Sequence, residues 1–181
     1  MSERRVAFAP VATSTARVLI LGSMPGVASL DAVAYYAHPR NAFWKIMGRL
    51  LGFDVEAPYA QRLAALQNAG IALWDVLAAC ERPGSLDADI EPASIEINDF
   101  EAFFATHPSI QRILLNGGAA FDLYRRHVLP TLGNGAAALV RQRLPSTSPA
   151  YAAMPATEKY RHWHAALAPY VGQTKNNNGT D

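Results

Sequence analysis

The apolar run Val18-Leu19-Ile20-Leu21 ends abruptly in Gly22-Ser23-Met24-Pro25-Gly26. A short run with no polar alternation reads as a strand buried on both faces, which is how parallel sheets are built. The glycines and the proline then stop it and hand the backbone to a loop. In open α/β sheets, ligands sit in the loop after a strand's carboxyl end. After nine further residues the chain reads Tyr36-Ala37-His38-Pro39-Arg40-Asn41-Ala42-Phe43-Trp44. That brings aromatics, a His, an Arg and an Asn into the same connection and the helix after it, more functional groups than structure alone requires.

The rest of the chain repeats the strand signal. Strands are predicted at 17–22, 71–76, 112–116 and 137–144. In the fourth, Arg141 and Arg143 alternate with Gln142 and Leu144, so it reads as an edge strand. Helices are predicted from Asn41 to the stop at Gly52, at 59–68, from Asn98 or Asp99 to Pro108, at 119–128 and at 157–170. Strands alternating with helices imply an α/β fold whose mostly parallel sheet is covered on both sides. Residues 81–92 and 145–155 read as loops. No repeat or domain boundary is found, so residues 1–172 are expected to form a single domain, with a polar, disordered tail at 173–181. Cys80, the Phe100, Phe103, Phe104 stripe and Trp44, Trp74 and Trp163 are assigned to the core.

With 181 residues, 50% hydrophobic and 17% charged, the chain can bury a core unaided. Its single cysteine excludes an internal disulfide and a multi-cysteine zinc or iron–sulfur site. This fits a cytoplasmic location. No signal peptide or membrane span is expected. A net charge of +1 makes no global case for nucleic acid. Any such face must be local, with Arg40, the Arg125-Arg126-His127 group, Arg141 and Arg143 as candidates. Each reads equally as a solvated surface charge.

Four strand ends converge on one rim of such a sheet. They supply Gly22-Ser23-Met24-Pro25-Gly26, Asp75, Asn116-Gly117 and Pro145-Ser146-Thr147-Ser148-Pro149. Neither a phosphate loop nor a dinucleotide fingerprint is present, and no metal-ligand spacing appears. No metal or cofactor is expected.

The two early motifs, with their spacing, resemble the uracil-DNA glycosylase superfamily, and most of all its hypoxanthine-DNA glycosylase branch, which carries Gly-Ser-Met-Pro-Gly. The mismatch-specific uracil/thymine branch has Gly-Ile-Asn-Pro-Gly and Phe-Ala-His-Pro-x-Asn-x-Phe-Trp. The likeness continues in order through Leu73-Trp74-Asp75-Val76, Leu114-Leu115-Asn116-Gly117 and Leu144-Pro145-Ser146-Thr147-Ser148-Pro149. It implies a three-layer α/β/α sandwich around a four-stranded parallel sheet. It also implies a monofunctional, monomeric base-excision-repair enzyme that flips a deaminated or mismatched base out of double-stranded DNA and cleaves its N-glycosidic bond. Two usual catalytic groups are replaced, one by Met24 and one by Leu144. The resemblance points to Asn41 instead.

On that reading Asn41 and Asp75 are the catalytic candidates. An amide carbonyl at Asn41 can orient a water without carrying charge. Asp75 has two open roles: as a carboxylate it accepts from a base N–H, and if buried and protonated it donates to the leaving base. Gly22, Ser23, Met24, Pro25, Gly26, Tyr36, His38 and Asn116 are the substrate-binding candidates, with Tyr36 stacking on the base and backbone N–H groups facing its oxygen. Arg40, Pro145, Ser146, Thr147 and Ser148 are the DNA-binding candidates. Ser146 and Ser148 are placed for phosphates, and Thr147 or Ala150 as a small wedge. Structural roles compete throughout: Asn41 as a helix N-cap, with its two roles compatible only if the side chain is not used for the cap; Asp75 in a turn; Tyr36 packing on Phe43; His38 holding a backbone group; Asn116 in a left-handed turn. Two rival functions are a damage sensor that binds without cleaving and a small-molecule hydrolase using Ser146 or Ser148 with a histidine. No nucleophile elbow supports the latter.

Overall fold

A computed structural model describes residues 3–171. The chain runs β1 (Arg4–Val6), β2 (Val18–Gly22), α1 (Val27–Ala32), α2 (Phe43–Leu51), α3 (Tyr59–Asn68), β3 (Ile71–Asp75), β4 (Leu77–Glu81) and β5 (Glu96–Ile97). It continues with α4 (Phe100–Thr106), β6 (Arg112–Asn116), α5 (Gly118–Leu123), α6 (Asn134–Ala137), β7 (Val140–Leu144) and α7 (Ala156–Val171). A π-helical turn at Tyr124–Val128 extends α5.

The main sheet has the order β3-β2-β6-β7, and every pairing in it is parallel. β7 lies at an edge, as its alternating arginines required. Alternation along the strands sends neighbours to opposite faces. Leu19, Leu21, Trp74, Ile113 and Leu115 face α4, α5 and the π turn, where Phe100, Phe103 and Tyr124 meet them. Val18, Ile20, Leu73, Leu114 and Leu144 face α2, α3 and α7, through Phe43, Met47, Leu66 and Trp163. The three-layer α/β/α sandwich with a four-stranded parallel sheet is therefore present. Its predicted core residues, Cys80 included, are all buried.

Several boundaries differ from expectation. The fourth strand begins at Val140, because residues 134–137 form the short helix α6. A helix, α1, occupies part of the connection between the two early motifs. Residues 77–81, to which no strand was assigned and of which Glu81 was expected to open a loop, form the centre of a second, antiparallel sheet with the order β1-β4-β5. β4 follows β3 after one residue, so a single apolar stretch hides two strands. Asn98 holds the corner, donating from Nδ2 to the carbonyls of Asp75 at 2.8 Å and Leu77 at 3.1 Å. Asp99 is the residue that caps α4, accepting from Ala102 N–H at 2.9 Å. The proposed tail at 173–181 lies outside the described residues.

Trp163 is fully buried on the α7 side and donates from Nε1 to the Pro145 carbonyl at 3.0 Å. Trp163→Ala should cost about 3–5 kcal/mol in urea unfolding. Trp163→Phe, which keeps most of the packing and loses the hydrogen bond, should cost about 1–3 kcal/mol. A loss below about 1 kcal/mol for the alanine variant would contradict this packing.

Candidate active site

Parallel register sets the site. It places Gly22 opposite Asp75 and Asn116 opposite Leu144, so four strands end on one rim. There a cavity of about 320 Å³ opens, near the lower end of the range for small-ligand pockets.

Gly22 is required by close approach. A Cβ at this position would stand 2.6 Å from Asp75 Oδ1 and 3.3 Å from the Tyr36 hydroxyl. Asp75 is 3% exposed, and its Oδ2 is buried with no hydrogen-bond partner. Burial raises its pKa from 3.8 to about 7, with the Asp87 charge adding to the rise and Arg82 opposing it. A buried acid with an unpartnered oxygen is costly unless it is neutral or meets a ligand.

Tyr36 has φ of 55°, a left-handed backbone costing ~1–3 kcal/mol in a residue of this kind. That backbone turns its ring onto Phe43, with centroids 4.0 Å apart and planes at 24°, while the ring also lines the cavity. Burial pushes its hydroxyl pKa up.

Asn41 lines the cavity two residues before α2 begins; the N-cap position itself belongs to Ala42. Its Oδ1 accepts from Phe43 N–H at 3.0 Å. The side chain is therefore used at the start of α2, the structural role weighed for it; a carbonyl oxygen carries a second lone pair.

Asn116 lines the cavity, but its amide is engaged on both sides by Thr147. Nδ2 donates to Thr147 Oγ1 at 2.9 Å and Oδ1 accepts from Thr147 N–H at 2.9 Å. The Thr147 carbonyl in turn accepts from Ala42 N–H at 2.9 Å. Thr147 is thus 1% exposed and fastened to two elements, so it is not a wedge. Gly117, at φ of 97°, allows the approach of Ser146, whose Cβ would lie 2.9 Å from a Cβ at 117. Ser146 and Ser148 reach the cavity, each accepting from a backbone N–H two residues on, at 3.2 Å.

His38 lines the cavity, and its Nδ1 accepts from Arg40 N–H at 3.1 Å, which is the backbone role. Ser23, Met24, Pro25 and Gly26 also line it, with Met24 as a nearly buried wall. Arg40 and Pro145 do not: Arg40 is exposed beside the mouth, and Pro145 supplies the carbonyl that Trp163 holds. Leu144 is packed into the core. Arg141 is tied down, donating to the Ala137 carbonyl at 2.6 Å. Neither Ser146 nor Ser148 hydrogen-bonds a histidine among the described residues, so the small-molecule hydrolase reading has no base for its nucleophile.

The segment Ser85-Leu86-Asp87 was missed by sequence reasoning. It forms one wall of the cavity. Ser85 Oγ accepts from Val27 N–H at 2.8 Å, and Asp87 accepts from Ser23 Oγ at 2.7 Å. Beneath it Arg82, with no exposed surface, approaches Asp87 at 3.4 Å and donates to the Pro25 carbonyl at 2.5 Å. The one clue in the sequence was an arginine set immediately after an apolar strand.

Among the described residues, no group of three or more His, Cys, Asp or Glu could hold a metal, and no helix is long and apolar enough to cross a membrane.

A buried acid with an unpartnered oxygen, an amide and an aromatic ring around one cavity form a site of the kind that can hold a nucleobase. Residues 9–168 match the family model described as the uracil DNA glycosylase superfamily, and the chain belongs to that superfamily. It is an enzyme of the DNA glycosylase class, a hydrolase of N-glycosyl bonds. Two curated relatives are named hypoxanthine DNA glycosylase. The one from Methanosarcina barkeri is 38% identical over 115 residues, 63% of this chain and 72% of that protein. The one from Methanosarcina acetivorans is 36% identical over 133 residues, 68% of this chain and 83% of that protein. A solution NMR structure of a candidate uracil DNA glycosylase from Methanosarcina acetivorans superposes with a TM-score of 0.77 at 30% identity, covering 93% of this chain and 99% of that one.

Gly22→Ala should destabilise by about 1–3 kcal/mol, because the methyl group meets the buried carboxyl; Gly26→Ala, whose nearest neighbour is Ser85 Oγ at 3.3 Å, should cost less. Equal losses in urea unfolding would contradict the close approach. Asp75 also fixes a pH dependence. Unfolded, it loses its proton near 3.8; folded, it keeps it up to about 7. The folded state therefore binds the extra proton in that window, and stability falls as pH rises through it. Unfolding midpoints of the wild type and Asp75→Asn across this window check it, the variant losing this part of the slope. An identical slope would contradict the assignment.

Proposed function

We propose that this chain is a monofunctional DNA glycosylase of base excision repair. It flips a deaminated base out of double-stranded DNA and hydrolyses its N-glycosidic bond, with hypoxanthine preferred and uracil, xanthine or mismatched thymine secondary. The observation that carries the reading is the buried, unpartnered Asp75 carboxyl in the same cavity as Asn41 and Tyr36. The hypoxanthine preference follows the two curated relatives.

Breaking the bond leaves positive charge on the sugar and negative charge on the base. Asn41 Oδ1, with one lone pair on Phe43, uses the other to align a water towards the sugar carbon. Asp75, protonated below about pH 7, donates to the base as its charge develops. Of its two open roles this one suits a leaving anion; a carboxylate there would oppose it. Tyr36, backed by Phe43, offers the base a π face. Water oxygen joins the sugar carbon as the carbon–nitrogen bond breaks; the base leaves with the Asp75 proton, the attacking water releases its surplus proton to solvent, and Asp75 is reprotonated from solvent. Among the described residues no lysine lines the cavity, so a Schiff-base strand cut has no nucleophile there. One base fills one pocket, so the enzyme works as a monomer, and we place it in the cytoplasm.

Met24 and Leu144, where the family's usual groups stand, favour a second reading: a damage sensor that binds a flipped base without cleaving it. Asn41→Ala separates the two. Under single turnover on a hypoxanthine duplex, its rate should fall about 10²-fold or more with DNA affinity little changed. Near-normal turnover would remove Asn41 from the chemistry, and a wild type that binds without cleaving would establish the sensor. With Asp75 as donor, the wild-type rate should decline above about pH 7, whereas Asp75→Asn, which keeps an N–H donor, should lose that decline. A parallel decline in both would assign the titration elsewhere.

A further inference from the structure

Resting on the glycosylase reading, we propose that Arg82 and Asp87 are positioning residues for base release: they clamp the 22–26 loop, and they hold two opposed charges within reach of the Asp75 carboxyl. Arg82 follows β4 and has no exposed surface. Its Nη2 donates to the Pro25 carbonyl at 2.5 Å, and its Nη1 stands 3.4 Å from Asp87 Oδ1. The same Oδ1 accepts from Ser23 Oγ at 2.7 Å. One guanidinium and one carboxylate thus fasten two residues of the loop that follows Gly22. A buried ion pair is a weak source of stability, and apolar side chains of similar volume often do better. Here the Arg82 Nε also lacks a partner. Departures of this kind from a well-satisfied interior are expected where a site needs them.

The use lies in the two charges. Asp87 lines the cavity, and Arg82 does not. Asp87 opposes the ionisation of Asp75 while Arg82 favours it, and burial outweighs both. Because the two are paired, each offsets part of the other's field, and burial is left to keep the proton in place. The other titratable groups that face Asp75 are Tyr35 and Tyr36, from the connection between α1 and α2, and Tyr59 from α3. Burial raises all three hydroxyls above their ordinary value of 10, so they carry no charge while Asp75 titrates. His38 shares the cavity. Cys80 of β4, which feels both Arg82 and Asp87, is a buried thiol that burial pushes up. All of these are common to every variant below, so their effects cancel in the comparison.

The test follows the single-turnover rate on a hypoxanthine duplex against pH for wild type, Asp87→Asn, Arg82→Gln and the double variant. Asp87→Asn keeps an oxygen for Ser23 and removes the negative charge, so Asp75 gives up its proton more readily. The decline in rate should then begin at lower pH. The displacement should be on the order of half a pH unit, because the Asp87 side chain is 37% exposed and water screens it. Arg82→Gln removes the opposing charge and should displace the decline upward, with the double variant between the two. In an Asp75→Asn background, Asp87→Asn should displace nothing. A clamp without an electrostatic role would change the rate equally at every pH. An unmoved midpoint in Asp87→Asn, a movement in the other direction, or one that survives Asp75→Asn each overturns the proposal. If Arg82→Gln fails to fold, Asp87→Asn alone decides. If the wild type cleaves nothing, the glycosylase reading fails by itself. The carboxyl-carbon NMR resonance of Asp75, identified by its loss in Asp75→Asn, still reports the titration, and a midpoint unchanged by Asp87→Asn refutes the proposal.

Discussion

The site depends on one buried acid sharing space with one missing side chain. Asp75 Oδ1 lies where a residue larger than glycine at position 22 would place its Cβ. The parallel register that sets Gly22 against Asp75 is fixed by the apolar strands beneath them, all of them core. The sheet thus spends its burial on holding a carboxyl away from water, and the proton stays on as a consequence. Arg82 and Asp87, both close enough to act on that carboxyl, act in opposite directions. A full ion pair at Asp75 would have kept it charged and removed its use as a donor.

Around this acid the connections are fastened to one another by side chains bonding to backbone. Asn116 holds Thr147, Thr147 holds Ala42, and the next residue, Phe43, is held by Asn41. Ser85 and Asp87 pin a third segment to the first. The strained backbone of Tyr36 persists because Phe43 and the wall behind it leave its ring one place to go. The cavity is therefore built before any ligand arrives, which is the condition for stabilising charge as it forms.

Much of this was legible in the sequence, for physical reasons. Three buried strands announced themselves as nearly unbroken apolar runs and the fourth as a more polar edge strand, and their ends had to meet, so Gly22, Asp75, Asn116 and Ser146 could be placed on one rim. The motif around Asn41 marked the loop that closes it. What was not legible depended on partners distant in sequence. β4 is apolar like the strand before it, and its pairing with Arg4–Val6 and Glu96–Ile97 distinguishes it. Ser85, Leu86 and Asp87 look like surface loop until Val27 and Ser23 are known to bind them. Thr147 was read as a wedge because its exposure, like the use of both ends of the Asn116 amide, is a tertiary fact.

The most direct measurement is base release by the wild-type protein without metal. Labelled duplexes carrying hypoxanthine, uracil, xanthine or thymine opposite each normal base would be incubated with excess protein in EDTA, then treated with hot alkali to break abasic sites. The account predicts breaks at hypoxanthine above all, fewer at the other lesions, and none without alkali. Intact strands throughout, with binding to the same duplexes still present, would contradict it and leave a protein that recognises the damaged base but does not remove it.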